Sequence, residues 1–407
     1  MLDFEDALGR LLAGAHPVGE TETVPTHAAA GRVLAQGLRS AIDVPPLDNT
    51  SMDGYALRCA DVPAAGTQLA VAQRIAAGSV GHTLAAGTAA RIFTGAPLPA
   101  GVDAVVMQEL CAIDGDTLTV NHVPHAGEWI RRRGEDIAAG AEVLAVGTRL
   151  SAAHVGVAAS VGAPQLTVFR RLRVALFSTG DELALPGEAL KPGGIYNSNR
   201  YTLRALLEGL GCVVDDLGIV PDSRDATRAA LREAAAGNDL ILTSGGVSVG
   251  EEDHVKPAVE AEGALDLWKI AIKPGKPLAF GSVRAKVGAG NTATDTATAF
   301  IGLPGNPVSS FVTFLMLVRP FILKAQGASV LVPRAQQMRA DFDCKGDPRR
   351  EFLRARINPE GGLELFANQS SGVLTSCTWA DGLIDNPPRQ AIVRGDAVRF
   401  LPFGELL

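Results

Sequence analysis

Three short stretches hold the residue types that anion and metal chemistry needs: Thr243–His254 (TSGGVSVGEEDH), Lys273–Pro277 (KPGKP) and Ser178–Leu183 (STGDEL). Gly245 and Gly246, flanked by the hydroxyls of Ser244 and Ser248, offer bare backbone whose N–H groups can cradle an oxyanion such as phosphate. Asp222, Asp253 and Glu182 suit a hard cation that takes one or two carboxylates and completes its shell with water and substrate phosphates. Lys273 and Lys276 bracket Pro-Gly, a stiff turn that holds two cationic side chains in place. Each acid taken singly also fits a helix cap, and a lone Gly-Gly also fits a plain strand-to-helix turn. Together, lysines, acids and a glycine nest describe a site for an anion plus a metal.

Residues this far apart need a scaffold that gathers them. LRVALFST, CVVDDLGIV and DLILTS read as buried strands. Two amphipathic helices, NSNRYTLRALLEGL and SRDATRAALREAAAG, alternate with them, and HVKPAVEAEG reads as a third helix. This β-α-β-α-β order predicts a parallel sheet with helices on both faces, and such sheets bind ligands beyond the carboxyl ends of their strands. The acids, lysines, hydroxyls and glycines all follow such strand ends. SSFVTFLMLVRPFILKAQG reads as a packed helix, and GSVRAKVGAGNTATDTATAF (residues 281–300) as a long, mobile hairpin loop without a function. Before this region, short β-like runs broken by Gly, Pro, Asp and Asn predict a β-rich module; after Val332 short strands return.

The 407 residues exceed what one core usually holds, so two to four domains are expected. A net charge of −7 gives no reason to expect nucleic acid, and no run predicts a membrane span. Cys59, Cys111, Cys212, Cys344 and Cys377 are scattered without a CxxC, which fits a reducing cytoplasm better than a disulfide framework or zinc site. The basic triplet Arg131–Arg133 reads as a solvated face.

The ordered series DNTSMDGYA, RIFTGAPLP, GED, STGDEL, YNSNRY, TSGGVSVGEEDH, KPGKP and GLPGNPVS resembles the MoeA family of molybdenum-inserting enzymes, from about residue 5 to the end of the chain. The resemblance implies a multi-domain α/β plus β fold. A segmented, partly helical domain would comprise residues 1–22 and 140–170, and a β-rich domain residues 23–139. A central MogA-like parallel α/β domain would span 171–324, and a C-terminal β-barrel 325–407. It also implies an elongated homodimer whose cleft is completed by the partner's β-rich domain. The reaction implied is insertion of molybdate into adenylylated molybdopterin, with Mg²⁺-assisted release of AMP. Asp222 and Asp253 would hold Mg²⁺, with Glu182 beside them. Lys273 and Lys276 would hold molybdate or the phosphate, with Lys269 contributing. Ser244, Gly245, Gly246 and Ser248 would cradle the pterin side, and Pro304 and Pro307 would also contact substrate. Asp53, Thr94 and Asp136 match the polar residues of the β-rich domain. Arg350 and Ser371 match the molybdate side of the C-terminal domain, with Arg349 or Arg354 as alternatives to the first and Ser370 to the second. The Gly/Thr-rich stretch 285–298 is longer than the family's usual hairpin.

Three other readings stay open on sequence grounds. They are adenylylation of molybdopterin one step upstream, insertion of tungstate, and a non-catalytic scaffold like gephyrin. Expected partners are the upstream adenylyltransferase and acceptor molybdoenzymes, with neither nucleic acid nor membrane.

Overall fold

The computed structural model describes residues 1–246, 254–287 and 294–407. Ser248 and Asp253 lie outside them.

The functional scaffold is a six-stranded sheet: β1 (Arg173–Thr179), β2 (Val213–Val220), β3 (Leu240–Ser244), β4 (Gly263–Lys269), β5 (Pro277–Val287) and β6 (Thr294–Leu303). The spatial order is β2-β1-β3-β6-β5-β4. β2, β1, β3 and β6 run parallel, while β5 and β4 are antiparallel to their neighbours. Every residue of β3 is buried, as expected of a parallel strand covered on both faces. Helices Ser198–Gly209 and Pro307–Ala325 cover one face, around Leu176, Leu207 and Leu315. Arg224–Ala235 and Val255–Glu262 cover the other, around Phe177, Leu231 and Phe300. Pro307–Ala325 is apolar and long enough to cross a membrane, but 94% of its apolar window is buried inside the protein.

The stretch 281–300, expected as a loop, contributes instead to β5 and β6, which pair from Ala279–Gly302 to Val287–Thr294. Val283, Thr298 and Phe300 are buried, so a core-facing alternation was present beneath the Gly/Ala/Thr composition.

The helix Phe4–Ala13 is capped by Asp3, whose carboxylate accepts the Glu5 N–H. Its buried stripe, Phe4, Ala7 and Leu11, packs into the core of the central sheet rather than against residues 140–170. The segmented body is held by Thr21–Pro25 pairing with Gln165–Phe169 and Leu38–Arg39 pairing with Glu142–Leu144. Ala29 and Leu34 share its core with Leu144, Ala158 and Val168. Residues 26–39 therefore pack with this body and not with the β-rich sheet that follows. That sheet has six strands in the order Ala104–Met107, Gly54–Leu57, Thr88–Ile92, Thr67–Ile75, Thr117–Val120, Cys111–Asp114.

In the C-terminal region, Gln336–Arg339, Ala397–Pro402, Gly382–Asn386, Arg350–Ile357 and Leu363–Leu365 are paired in that sequence. The isolated bridge between Ala340 and Leu363 returns the last strand to the first, closing the expected small barrel. Ile272–Lys273 adds to this sheet in parallel, opposite Arg350–Glu351, and so clips the barrel to the central domain.

Candidate functional site

A cleft of about 680 Å³ opens where the parallel strands end and the barrel begins. Thr179 ends β1 and Gly180 and Glu182 follow it, Asp222 follows β2, Gly245 and Gly246 follow β3, and Pro304 to Asn306 follow β6. The opposite wall is the Lys273–Pro277 turn together with Arg349 and Gln369 to Ser371 of the barrel. The topology thus brings the carboxyl ends of the strands onto one rim, as open parallel sheets do.

On the sheet side, Gly245 and Gly246 both have positive φ, +93° and +65°. A Cβ on Gly246 would lie 2.4 Å from Val255 Cγ2 and 2.8 Å from Thr179 Oγ1, so a side chain there would force the turn or these neighbours to shift. The Gly245 N–H donates to Leu303 O at 3.1 Å, which joins two strand ends rather than offering itself to a ligand. Ser244 is buried beneath this turn, and its hydroxyl accepts from Asn199 Nδ2 at 2.8 Å. It supports the floor and does not line the cleft. Asp222 does line it. The cap of the following helix falls to Ser223, whose Oγ accepts the Ala226 N–H. The helix Pro307–Ala325 starts at the rim, with Asn306 and Ser309 on the cleft surface, and its positive end favours anions there. Pro307 itself begins the helix just behind the lining.

On the other wall, Lys273 Nζ lies 3.1 Å from Glu351 Oε1 and 3.2 Å from Asp347 Oδ2. Partial burial opposes the charge on Lys273, but Glu351 and then Asp347 outweigh it, and the lysine pKa is raised. Lys276 is exposed and has no ion-pair partner among the described residues. Its carbonyl accepts the Ile270 N–H at 2.7 Å, which fixes the turn. Between the lysines, Gly275 has φ +107°, and a Cβ would meet Thr313 Oγ1 at 2.3 Å. Asp347 also receives Arg349, with Nε to Oδ1 at 3.0 Å and Nη2 to Oδ2 at 3.2 Å. The Arg349 guanidinium, with help from its backbone N–H and Lys273, holds the Asp347 carboxyl well below the usual range against its burial.

A depressed carboxyl pKa contributes stability above the unfolded value and loses it as pH falls. The melting temperature of Asp347→Asn should therefore lie below that of the wild type at neutral pH. The gap should begin to shrink below about pH 4, near the unfolded carboxyl pKa, and keep closing as pH falls toward the depressed folded value. A gap that persists undiminished at pH 2 would show that the clip does not depend on this charge.

Arg350 is a correction. It faces away from the cleft, with its guanidinium 2.6 Å from Asp385 Oδ1 and 2.6 Å from Glu5 Oε1, and 4.5 Å above the Phe4 ring. It anchors the N-terminal helix to the barrel. Arg349 takes the place in the lining expected of Arg350, while Ser370 and Ser371 both line it. Lys269 is exposed at the end of β4, opposite Pro277, and outside the lining. Asp53, Thr94 and Asp136 do not line it either. Asp53 accepts the N–H and the hydroxyl of Thr94, both at 2.7 Å, and those bonds hold its pKa down. Asp136 is exposed on the same β-rich region. Of the basic triplet, Arg132 and Arg133 pair with Asp48 and Asp43 at the surface. Thr179, Asn306 and Gln369 were missed as lining residues: the first two stood within recognised motifs, and nothing local marked Gln369.

Residues 2–162 match the MoeA N-terminal region (domain I and II), 175–324 a probable molybdopterin binding domain, and 337–403 the MoeA C-terminal region (domain IV). The chain is 41% identical to the molybdopterin molybdenumtransferase of Haemophilus influenzae, with 100% of each chain covered. It is 38% identical to that of a Nostoc species, over 89% of this chain and 84% of the relative. The crystal structure of the molybdopterin biosynthesis moeA protein from Pyrococcus horikoshii OT3 superposes with a TM-score of 0.82 at 27% identity, covering 99% of this chain and 100% of that one.

Proposed function

The chain belongs to the MoeA family, and from that premise we propose that it inserts molybdate into adenylylated molybdopterin with Mg²⁺-dependent release of AMP. It is an enzyme of molybdenum cofactor biosynthesis, a molybdenumtransferase. One observation carries the finer reading. A single cleft sets Glu182 and Asp222 on one wall and Lys273, Lys276 and Arg349 on the other, in a protein whose net charge is −7. Both substrates are anions, so local cations must overcome the overall charge.

No group of three or more metal-binding side chains occurs among the described residues. Two lining carboxylates still fit Mg²⁺, which draws much of its shell from water and substrate phosphate. Asp222 and Asp253 would hold it, with Glu182 beside them, and when bound it would supply charge neutralisation at the phosphoanhydride. The start of the helix at Asn306 and Ser309 would orient the phosphate, and Lys276, Lys273 and Arg349 would hold the oxyanion in line. The dithiolene sulfurs belong to the pterin, so no cysteine of this chain is needed at the metal. Asp53, Thr94 and Asp136 lie off the cleft of their own chain, which supports their delivery to a partner's cleft in a homodimer. The scattered thiols support a cytoplasmic site of action, between an upstream adenylyltransferase and acceptor molybdoenzymes.

The test is AMP release from adenylylated molybdopterin by the purified protein, with molybdate and Mg²⁺ each present or omitted. Release that needs both, with a product that activates an apo-molybdoenzyme, is expected. Formation of AMP-pterin from ATP instead would move the protein one step upstream.

A further inference from the structure

None of the residues of YNSNRY (196–201) lines the cleft. The segment opens the helix Ser198–Gly209, and Asn197 caps it by accepting the Arg200 N–H at 3.1 Å. Yet this one helix start is bonded to each of the four parallel strands or to the turn that follows it. After β1, the Ile195 N–H donates to Glu182 O at 2.8 Å and the Asn197 N–H to Ala184 O at 3.0 Å. On β2, Asp216 Oδ1 accepts Arg200 Nε at 2.9 Å. Asn199 serves the other two. Its Nδ2 donates to Ser244 Oγ, at the end of β3, at 2.8 Å and to Gly305 O, after β6, at 2.7 Å. The side chain is 8% exposed, and both protons of its amide nitrogen are used. Ser244 leads into Gly245 and Gly246, and Gly305 lies between Pro304 and Asn306, all of which line the cleft. The two turns also touch. A Cβ on Gly305 would lie 3.9 Å from Gly245 Cα, and the Gly245 N–H donates to Leu303 O at 3.1 Å. One main-chain bond and one buried amide therefore hold the glycine turn against the start of the helix Pro307–Ala325.

We propose that Asn199 is a positioning residue for the adenylyl phosphate of the substrate. It sets the spacing between the Gly245–Gly246 turn and the helix start at Asn306 and Ser309, and it acts through them without touching the substrate. This rests on reading that wall as the side of the cleft that takes the adenylylated pterin. An amide suits the task. Both of its targets are oxygens, so each needs a donor, and a buried acceptor left without one is costly. Aspartate has the same shape but turns a second acceptor toward Gly305 O. The competing role is a plain staple of the fold, and the two roles move different quantities. A staple changes stability and leaves the folded protein's affinities as they were. A positioning residue changes affinity on its own wall and spares the other. The opposite wall is held by separate bonds, the Ile270 N–H on Lys276 O and the Lys273 ammonium on Glu351.

The experiment measures binding of AMP with Mg²⁺, and separately of molybdate, to the full-length protein by titration calorimetry. The KM for adenylylated molybdopterin and the melting temperature are measured alongside. The variants are Asn199→Asp and Ser244→Ala. Asn199→Asp should weaken AMP binding about tenfold and raise the KM in step, the scale of two neutral hydrogen bonds partly passed on to the ligand, while molybdate binding stays within about twofold of the wild type. A folded Asn199→Asp that binds AMP as the wild type does would overturn the proposal. So would parallel losses of AMP and molybdate affinity that follow the melting temperature. Should Asn199→Asp fail to fold, Ser244→Ala decides, because it removes one of the two acceptors and leaves the bond to Gly305. AMP affinity should then fall by roughly threefold, the scale of one neutral hydrogen bond, with molybdate affinity held. Unchanged AMP affinity in that variant would overturn the role. The reading beneath the proposal has its own control in the wild type. A wild-type protein that binds no AMP would end that reading and the proposal with it, whereas a failure of the proposal alone shows only in the variants.

Discussion

Replacing Lys276 by methionine is expected to raise the KM for molybdate about a hundredfold while leaving the melting temperature where it was. Lys276 is exposed at the cleft and has no ion-pair partner among the described residues, so its charge is available to a ligand. Its position comes from the backbone: the Ile270 N–H holds its carbonyl, and Gly275 packs against Thr313. Removing the ammonium therefore leaves the turn standing. Lys273 is the contrasting case. It neutralises Glu351, which is 2% exposed, and Asp347, and it sits in the strand pair that clips the barrel to the central sheet. Lys273→Met leaves a buried carboxylate without its cation, so it should lose stability as well as activity. Molybdate titrations of both variants, with melting curves alongside, separate the roles. An unchanged KM in Lys276→Met, or an equal loss of stability in both, would sink the division of labour.

That division shows where the sequence ran out. Lys273 and Lys276 are the same residue type in one five-residue motif, and nothing in KPGKP says which one meets an acid. The acids that decide it, Asp347 and Glu351, lie more than 70 positions away and arrive through strand pairing. The mistake at Arg350 has the same origin. Arg349 lies in the bend just before the strand and Arg350 is the strand's first residue, so one position separates a side chain at the cleft from one fixed on the N-terminal helix. Arg349 meets Asp347 and the cleft, while Arg350 meets Asp385 and Phe4. The residue names alone, two adjacent arginines, carry no register.

What was legible came from elements whose local pattern and tertiary role agree. The buried runs that became β1 and β3, and the amphipathic helices that alternate with them, predicted the alternation and hence the rim. Where the two disagreed, the tertiary term won. The stretch 281–300 has breaker composition, yet it supplies paired strands because Val283 and Phe300 face a core. The first helix is amphipathic by sequence, but that its stripe meets Phe352 of the barrel and Leu207 of the central domain is a fact of chain topology.

Asp222→Asn should lower the rate of AMP release about a thousandfold, with pterin and molybdate binding retained and the fold intact. Asn keeps the shape and removes one negative charge. The sequence left open whether Asp222 serves the following helix as its cap. The structure gives that cap to Ser223, whose hydroxyl accepts the Ala226 N–H, and places Asp222 in the lining of the cleft. Melting curves of Asp222→Asn alongside the rates separate a loss of fold from the loss of this charge in the cleft. Raising Mg²⁺ should restore part of the rate if the charge serves a cation and none if it serves a proton transfer. Asp253 lies outside the described residues, and its place beside Asp222 is part of the proposal. A double-variant cycle with Asp253→Asn tests that placement directly. Two carboxylates that hold one ion fail together, so the double variant should be little slower than either single one. Multiplicative losses would assign the two acids to separate steps, and full activity in Asp222→Asn would remove the metal reading from this wall of the cleft.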